Sequence, residues 1–325
     1  MTRIGLALVG LGKIARDQHL PSLAANPAFQ LVATASPAES LTGIPAYADL
    51  DAALDAHPQI QAVALCTPPA VRAALARRAL QRGCHVLLEK PPCVVAQDLA
   101  ALDGLAATQG LTLFAAWHSR YAAAVETARR ILGATPPLRV QVRWKEDHRV
   151  WHPGQAWLWR EGGFGVLDPG INALSILTHI LPAPLEFIDA ELDCPQDSAM
   201  PAAARISLRS GAAGVAMQLD FLHAGEPCWD IVADTAQGQL VLSQGGAQLS
   251  LDGRAQRIQE QSEYAAIYTY FENLIRRGAR DADGAPLEIA GAALRHGRRR
   301  RLPLQVLPPA PTAGAAATVP DPLPR

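Results

Sequence analysis

Long apolar runs, one-sided charge, paired cysteines and aromatic side chains are all scarce in this 325-residue chain. No stretch approaches the roughly 18 uninterrupted apolar residues that span a bilayer, so no membrane partner is expected. With 29 Lys and Arg against 30 Asp and Glu the formal net charge is −1, which gives no electrostatic reason to expect nucleic acid. The five cysteines, Cys66, Cys84, Cys93, Cys194 and Cys228, are odd in number and form no C-x-x-C pair, so they read as reduced thiols. His148 and His152 stand four apart among Trp151, Pro153 and Gly154, but no third ligand follows at a recognisable spacing, and no metal is expected. The N-terminus passes from Met-Thr-Arg straight into the apolar Ile4–Val9 with no small-residue cleavage site behind it. That reads as a strand rather than a signal peptide, and the expected location is cytoplasmic.

What is present is a 49% apolar composition long enough for two cores. Apolar runs at 4–9, 30–35, 60–66, 85–88 and 111–115 alternate with helical patterns, clearest at 70–82 and 95–109. Gly83 and Gly110 stand where helix C-caps belong. Repeated β-α-β predicts a parallel sheet covered on both faces, a dinucleotide-type α/β domain over residues 1–119. After a helix at about 121–132 the pattern changes to strands at 138–145, 185–192, 203–209, 214–222, 229–234, 239–243 and 247–251, with turns at Gln237-Gly238 and Gly245-Gly246. This predicts an α+β domain over 120–302 with a large, mostly antiparallel open sheet, closed by helices at about 264–277 and 286–298. Arg298 to Arg301 read as a solvated helix end. From 303 to 325, seven prolines among alanines read as a disordered tail.

Gly10-x-Gly12-x-x-Ala15 opens directly from the first strand and leads into a helix. Gly10 permits the tight turn, Gly12 lets backbone N–H groups approach a pyrophosphate, and Ala15 allows close helix–strand packing. An Asp or Glu about 20 residues further on would bind the adenosine ribose and favour NAD. Here the second strand ends Ala35-Ser36-Pro37, with Glu39 only beyond the proline, and no arginine stands there to hold an extra phosphate. NAD and NADP both stay open, with Ser36 leaning the reading to NADP. Cys66-Thr-Pro-Pro69 and Glu89-Lys-Pro-Pro92 follow buried strands at their C-terminal ends, where open α/β sheets bind ligands. Lys90 reads either as a site residue or as a surface lysine paired with Glu89. Asp168 and Asn172, i and i+4, project from one helix face, and Asp168 alone also fits an N-cap before Pro169. Trp117, His118, Trp151, His152, Trp157 and Trp159 are dense for a chain with six tryptophans; they suit a sugar site or simple packing at a domain junction.

Gly10-Leu-Gly-Lys-Ile-Ala15, Thr67-Pro-Pro69, Glu89-Lys-Pro91 and Gly162-Gly163-x-Gly165-x-x-Asp168 together resemble the family of glucose–fructose oxidoreductase, inositol dehydrogenase and the rhizopine-catabolism proteins, from residue 1 to about 300. More narrowly, Lys13-Ile-Ala-Arg-Asp-Gln-His-Leu-Pro21, Trp117-His-Ser119, Val142-Arg-Trp-Lys-Glu-Asp147, Trp151-His-Pro-Gly154 and Asp168-Pro-Gly-Ile-Asn172 are similar to the bacterial aldose 1-dehydrogenases acting on D-galactose and L-arabinose. The resemblance implies a Rossmann domain, a substrate cleft between it and the second domain, and a free sheet face that often pairs two copies into a homodimer. It implies hydride transfer from the anomeric carbon of D-galactose or L-arabinose to NAD or NADP, giving the aldonolactone. The resemblance makes Lys90 the contact to the reacting hydroxyl and Asp168 a lining residue of the sugar site, the catalytic pair; from the residues themselves, Asn172 on the same helix face, His118, Trp151 and His152 among the clustered rings, and Glu146 past a strand end are expected toward the sugar. Gly10, Gly12, Lys13, Ile14, Ala15, Ser36, Thr67, Pro68, Glu89 and Lys90 would hold the cofactor. Most relatives carry histidine four residues after the aspartate, and this chain has Asn172. The alternatives are another sugar or polyol oxidoreductase of the family and a nucleotide-binding regulator on the same fold; retention of Lys90 and Asp168 disfavours the regulator.

Overall fold

The computed structural model describes residues 2–306. Its first sheet contains β1 (Ile4–Val9), β2 (Phe29–Ala35), β3 (Ala46–Tyr47), β4 (Ala62–Leu65), β5 (His85–Glu89) and β6 (Leu113–Ala116), in the order β3-β2-β1-β4-β5-β6. Every pairing is parallel. The connecting helices are α1 (Leu20–Ala25), α2 (Leu50–Ala56), α3 (Pro69–Gln81) and α4 (Ala96–Gln109), with a π-helical turn at Ala15–His19 leading into α1. The strands are continuous apolar runs because helices cover both faces. Strand order reverses between β1 and β4, and the crevice that opens there is where such sheets take ligands. The short β3 and α2 escaped the sequence pattern; α2 is nevertheless well capped, Asp49 accepting a hydrogen bond from the Ala52 amide at 2.9 Å.

The chain continues through α5 (Val125–Ala134), β7 (Pro137–Lys145), α6 (His148–Trp151), α7 (Leu167–Ile180), β8 (Leu185–Pro195), β9 (Ala203–Ser210), β10 (Ala213–Asp220), β11 (Cys228–Thr235), β12 (Gly238–Ser243), β13 (Gln248–Leu251), β14 (Arg254–Ala255), α8 (Glu263–Arg277), α9 (Ala285–His296) and β15 (Arg298–Leu302). The second sheet runs β14-β13-β12-β11-β7-β10-β9-β8-β15. It is mixed, parallel only at β7–β10 and β8–β15. Buried and exposed residues alternate along β7, β9 and β10, so one face packs inward and the other is free. Helix α7 lies close on the inner face: a Cβ on Gly170 would fall 2.6 Å from Leu219 Cδ1, so a larger residue there would have to displace that side chain.

Helix α8, late in sequence, packs on the first sheet. Its apolar stripe Tyr264, Ile267, Tyr268, Phe271 and Leu274 closes a core with Leu6, Leu8, Phe29, Leu87 and Phe114. Truncating a ring such as Phe271 to alanine there would cost roughly 3–5 kcal/mol. Arg298 to Arg301 are exposed, as expected, but they do not end a helix, since α9 stops at His296. These residues form β15 along β8, where Arg300 grips Asp193 through two hydrogen bonds of 2.8 and 2.9 Å. Of the tail expected from 303, residues 303–306 run against the body, the Gln196 amide donating to the Leu304 carbonyl and the Val306 amide to Asp197. The rest of that tail lies outside the described residues. Among the described residues no helix is long and apolar enough to cross a membrane.

Candidate active site

Gly10 follows β1 with φ +86°, a conformation that favours glycine, and a Cβ there would stand 3.0 Å from the Thr67 amide nitrogen. The turn therefore seats against the end of β4. A Cβ on Gly12, by contrast, meets nothing within 4 Å, so this part of the loop faces open space at the crevice. Beside it Thr67 Oγ1 is buried with no hydrogen-bond partner among the described residues. Open space before a glycine loop, a helix starting behind it and an orphaned hydroxyl alongside fit a dinucleotide pyrophosphate. Ala15 is fully buried where the helix meets the sheet. Lys13 pairs with Asp17 along the exposed helix surface, Ile14 is partly exposed, and Pro68 precedes the first turn of α3. Ser36 follows β2, its amide donating to the Tyr47 carbonyl at 2.9 Å. An arginine does attend that strand end: Arg16 Nη2 lies 2.5 Å from Glu39 Oε2.

The Lys90–Pro91 peptide bond is cis. Glu89 does not stay beside Lys90 as a surface partner; its side chain is buried. Oε2 accepts the Lys90 amide at 2.8 Å, and Oε1 accepts the Tyr264 hydroxyl at 2.5 Å and lies 2.9 Å from His19 Nε2. His19 Nδ1 in turn meets the Tyr268 hydroxyl at 2.8 Å. Burial alone would raise the Glu89 pKa, but the His19 hydrogen bond and charge, the nearby His118 and the Tyr264 hydroxyl outweigh it and hold the carboxyl at about 2. Burial alone would likewise lower His19; Cys66, Tyr268 and Glu89 against the ring leave it raised well above the ordinary value. Both Glu89 oxygens are thus engaged inside the protein, and it supports the loop from below rather than facing the crevice as a cofactor ligand.

Lys90 reaches across to the second sheet's helix, its Nζ 3.1 Å from the Asp168 carbonyl oxygen and 3.2 Å from Asp168 Oδ2. Asp168 is not the N-cap of α7, which begins after Val166; it sits in the first turn with a buried side chain. His152 joins it, Nδ1 3.9 Å from Asp168 Oδ2 and Nε2 3.3 Å from Glu146 Oε1. Trp229 Nε1 donates to Glu146 Oε2 at 2.7 Å, fixing that carboxylate from β11. Asn172, one turn after Asp168 on α7, is half-buried, and its carboxamide makes no hydrogen bond among the described residues. Lys90, Asp168, His152 and Glu146 are therefore one connected polar cluster, with Asn172 on the same helix face.

The other aromatic and polar candidates divide. Trp151 is half-exposed and packs edge-on to Trp229 at 5.0 Å. His118 Nδ1 lies 2.6 Å from Glu263 Oε2 and its ring stacks on Tyr264, so its contacts run to α8 and not to the Lys90 cluster. Trp117 and Trp159 are buried packing residues, the first donating to the Asp283 carbonyl at 2.9 Å. A cavity of about 650 Å³ lies beside His152, between the 148–156 loop and residues 304–306. Sequence reasoning missed His19, Tyr264, Tyr268, Trp229 and Arg72. The buried Arg72 donates to the Thr67, Glu89 and Pro91 carbonyls and so ties the loops after β4 and β5 together. Its signal was an arginine in register with Ala76, Ala79 and Leu80 on the buried face of α3.

Residues 4–117 match the oxidoreductase family with an NAD-binding Rossmann fold. Over 312 residues the chain is 42% identical to galactose 1-dehydrogenase of Pseudomonas fluorescens, an alignment covering 92% of this chain and 97% of that one. The crystal structure of a D-galactose-1-dehydrogenase protein from Rhizobium etli superimposes with a TM-score of 0.90 at 49% identity, covering 94% of this chain and 99% of the other. A 3-ketoreductase from Actinomadura kijaniata, in complex with NADP and TDP-benzene, shares the fold at a TM-score of 0.83 and 19% identity, over 93% of this chain and all of its own.

Proposed function

The chain belongs to the oxidoreductase family with an NAD-binding Rossmann fold, and from that premise we propose that it is a D-galactose 1-dehydrogenase using NAD or NADP. The substrate comes from two relatives aligned over nearly their whole length; no comparison specifically supports arabinose, and it is not carried forward. The observation that carries the reading is the Lys90–Asp168 pair, which joins the end of β5 to the start of α7.

When bound, the nicotinamide supplies the acceptor for the anomeric hydride. The chain's residues hold the sugar and take the hydroxyl proton that must leave as the C1–O bond becomes a carbonyl. Lys90 donates toward Asp168 and keeps N–H capacity to polarise the anomeric oxygen. Asp168 Oδ2 is the neighbouring acceptor for the proton. An anomeric hydroxyl, acidified by the ring oxygen, asks less of that base than an ordinary secondary alcohol, which accounts for a carboxamide at Asn172 where most of the wider family carries histidine. Asn172, Glu146 and His152 bind the other hydroxyls and Trp151 stands at the rim, while His118, engaged by Glu263 and Tyr264, is not assigned to the sugar. Gly10, Gly12 and Thr67 hold the dinucleotide. The product is the aldonolactone.

Two structural parts of the proposal accompany it. The domain boundary falls near 119, supported by the end of β6 at Ala116. The free face of the second sheet pairs two copies, supported by the exposure of Leu138 and Ile188 on its strands, and sedimentation velocity measures that association. The reaction is tested by following reduced dinucleotide with a panel of free aldoses and identifying the product. D-galactose giving galactonolactone is the expected result; a keto-sugar oxidised at C2 or C3, or no turnover with any aldose, would remove the assignment.

A further inference from the structure

The adenosine ribose of a dinucleotide lies at the C-terminal end of the second strand, where a carboxylate takes its 2′-hydroxyl in NAD-dependent proteins and an arginine takes the 2′-phosphate in NADP-dependent ones. After β2 this chain has Ser36-Pro37, with a carboxylate, Glu39, only two residues beyond the proline and no arginine in sequence. The fold brings the arginine from the turn after the glycine loop. Arg16, on the π-helical turn after the glycine loop, donates through Nε to the Leu11 carbonyl at 3.2 Å, which pins its stem to the loop. Its Nη2 lies 2.5 Å from Glu39, in the segment between β2 and β3. The Gly10 amide donates to the Ala35 carbonyl at 2.9 Å, so glycine loop and strand end adjoin. The Ser36 hydroxyl makes no hydrogen bond among the described residues, and both members of the Arg16–Glu39 pair are well exposed, 41% and 56%.

We propose that the Arg16–Glu39 pair determines cofactor choice, Arg16 gripping a 2′-phosphate in place of Glu39 and Glu39 accepting the ribose hydroxyls when that phosphate is absent. This rests on the dinucleotide reading of the glycine loop. A phosphate offers the guanidinium a charge-assisted, fork-shaped partner at least equal to the carboxylate, so the exchange is close to balanced and the protein accepts both cofactors. Glu39 also repels the incoming phosphate, so it acts against NADP even as Arg16 acts for it. The neighbouring Lys13 is occupied by Asp17 on the same helix and leaves Arg16 as the paired cation facing this strand end.

Calorimetric titration of adenosine 2′,5′-bisphosphate and of 5′-AMP into the protein, without sugar or turnover, separates these roles. Arg16→Ala should weaken the bisphosphate about 10–100-fold and 5′-AMP less than about threefold, with Arg16→Lys recovering part of the loss. Glu39→Gln should tighten the bisphosphate by about fivefold and leave or weaken 5′-AMP. NADP and NAD specificity of turnover should follow the same directions. Both nucleotides weakening equally in Arg16→Ala, or a bisphosphate to 5′-AMP ratio unchanged in all variants, would overturn this assignment while leaving dinucleotide binding intact. A wild-type protein that binds neither nucleotide would instead overturn the dinucleotide reading and this inference with it.

Discussion

His19 Nε2 and Glu89 Oε1 lie 2.9 Å apart in a fully buried setting, each also held by a tyrosine hydroxyl of α8. Removing one partner of such a pair leaves the other desolvated and uncompensated. The depressed Glu89 pKa of about 2 contributes stability that is complete above the unfolded value near 4.5 and is lost as pH falls toward 2. Raised His19 contributes with the opposite sense, fully below its unfolded value and lost as pH rises through its folded one. Counted once for the pair, the acid limb amounts to something on the order of 3 kcal/mol. Urea unfolding from pH 7 down to pH 3 should show this limb in the wild type. Glu89→Gln should lack it and be less stable at pH 7 by about 3–5 kcal/mol; parallel pH profiles for the two proteins would show that the pair is not ionised.

The two loop glycines should fail differently. Gly10 has both a positive φ and a neighbour at 3.0 Å, so Gly10→Ala is expected to destabilise the fold by roughly 1–3 kcal/mol. Gly12 faces open space, so Gly12→Val should melt within a degree or two of wild type while its dinucleotide dissociation constant rises more than about tenfold. Thermal unfolding and dinucleotide titration on the same samples distinguish them. A Gly12→Val protein that binds normally would mean the pyrophosphate lies elsewhere.

Periodicity made five of the six strands of the first sheet legible to within two residues, because parallel strands buried on both faces leave little but apolar runs and glycine stops; the two-residue β3, which is not buried, carried no such pattern. It failed where an element draws its identity from partners distant in sequence. Arg298 to Arg301 carry no strand pattern of their own; pairing with β8, more than 100 residues earlier, makes them an edge strand, and Asp193 and the carbonyls of 195–199 hold their guanidinium groups there. The site was half legible for the same reason. Lys90, Asp168 and Asn172 sit in short recognisable strings, and the helix spacing of the last two put them on one face. His19 lay in such a string but had no visible role, since its partners Glu89 and Tyr268 are 70 and 249 residues away. The link from His152 through Glu146 to Trp229 likewise exists only because β11 pairs with β7.

Kinetics should separate the sugar-site roles. If Lys90 polarises the anomeric oxygen, Lys90→Ala should lower kcat by roughly 10²–10⁴-fold, and Asp168→Asn should fall in the same range by removing the proton acceptor. If Asn172, with a free carboxamide one turn further along α7, binds the sugar in ground and transition states alike, Asn172→Ala should act mainly by raising KM. Initial-rate measurements with D-galactose at saturating dinucleotide give both constants. Full kcat in Lys90→Ala would contradict the mechanism, and a pure KM effect in Asp168→Asn would move the base to another group.

Arg72 offers the sharpest test of how the Rossmann half holds the loops that follow β4 and β5. Its guanidinium is buried and donates to three carbonyls: Thr67 after β4, Glu89 at the end of β5 and Pro91 beyond the cis peptide bond. Burial lowers its pKa, and the negative charge of Glu89 works against that shift, so the cation is held by the same carboxylate that takes the Lys90 amide. No other residue type can supply that fork: lysine has one nitrogen, and methionine fills the volume without a donor. Arg72→Met should therefore leave three buried carbonyls unpaired, cost about 3 kcal/mol or more, and loosen Thr67 and Lys90 together. Dinucleotide affinity and kcat should then fall in the same variant although Arg72 itself lies beneath both loops. Arg72→Lys should restore part of the stability and less of the turnover. Melting temperature, dinucleotide titration and initial rates on the three proteins check this, and a Met variant with wild-type stability and rates would show that the loops hold their geometry without the arginine.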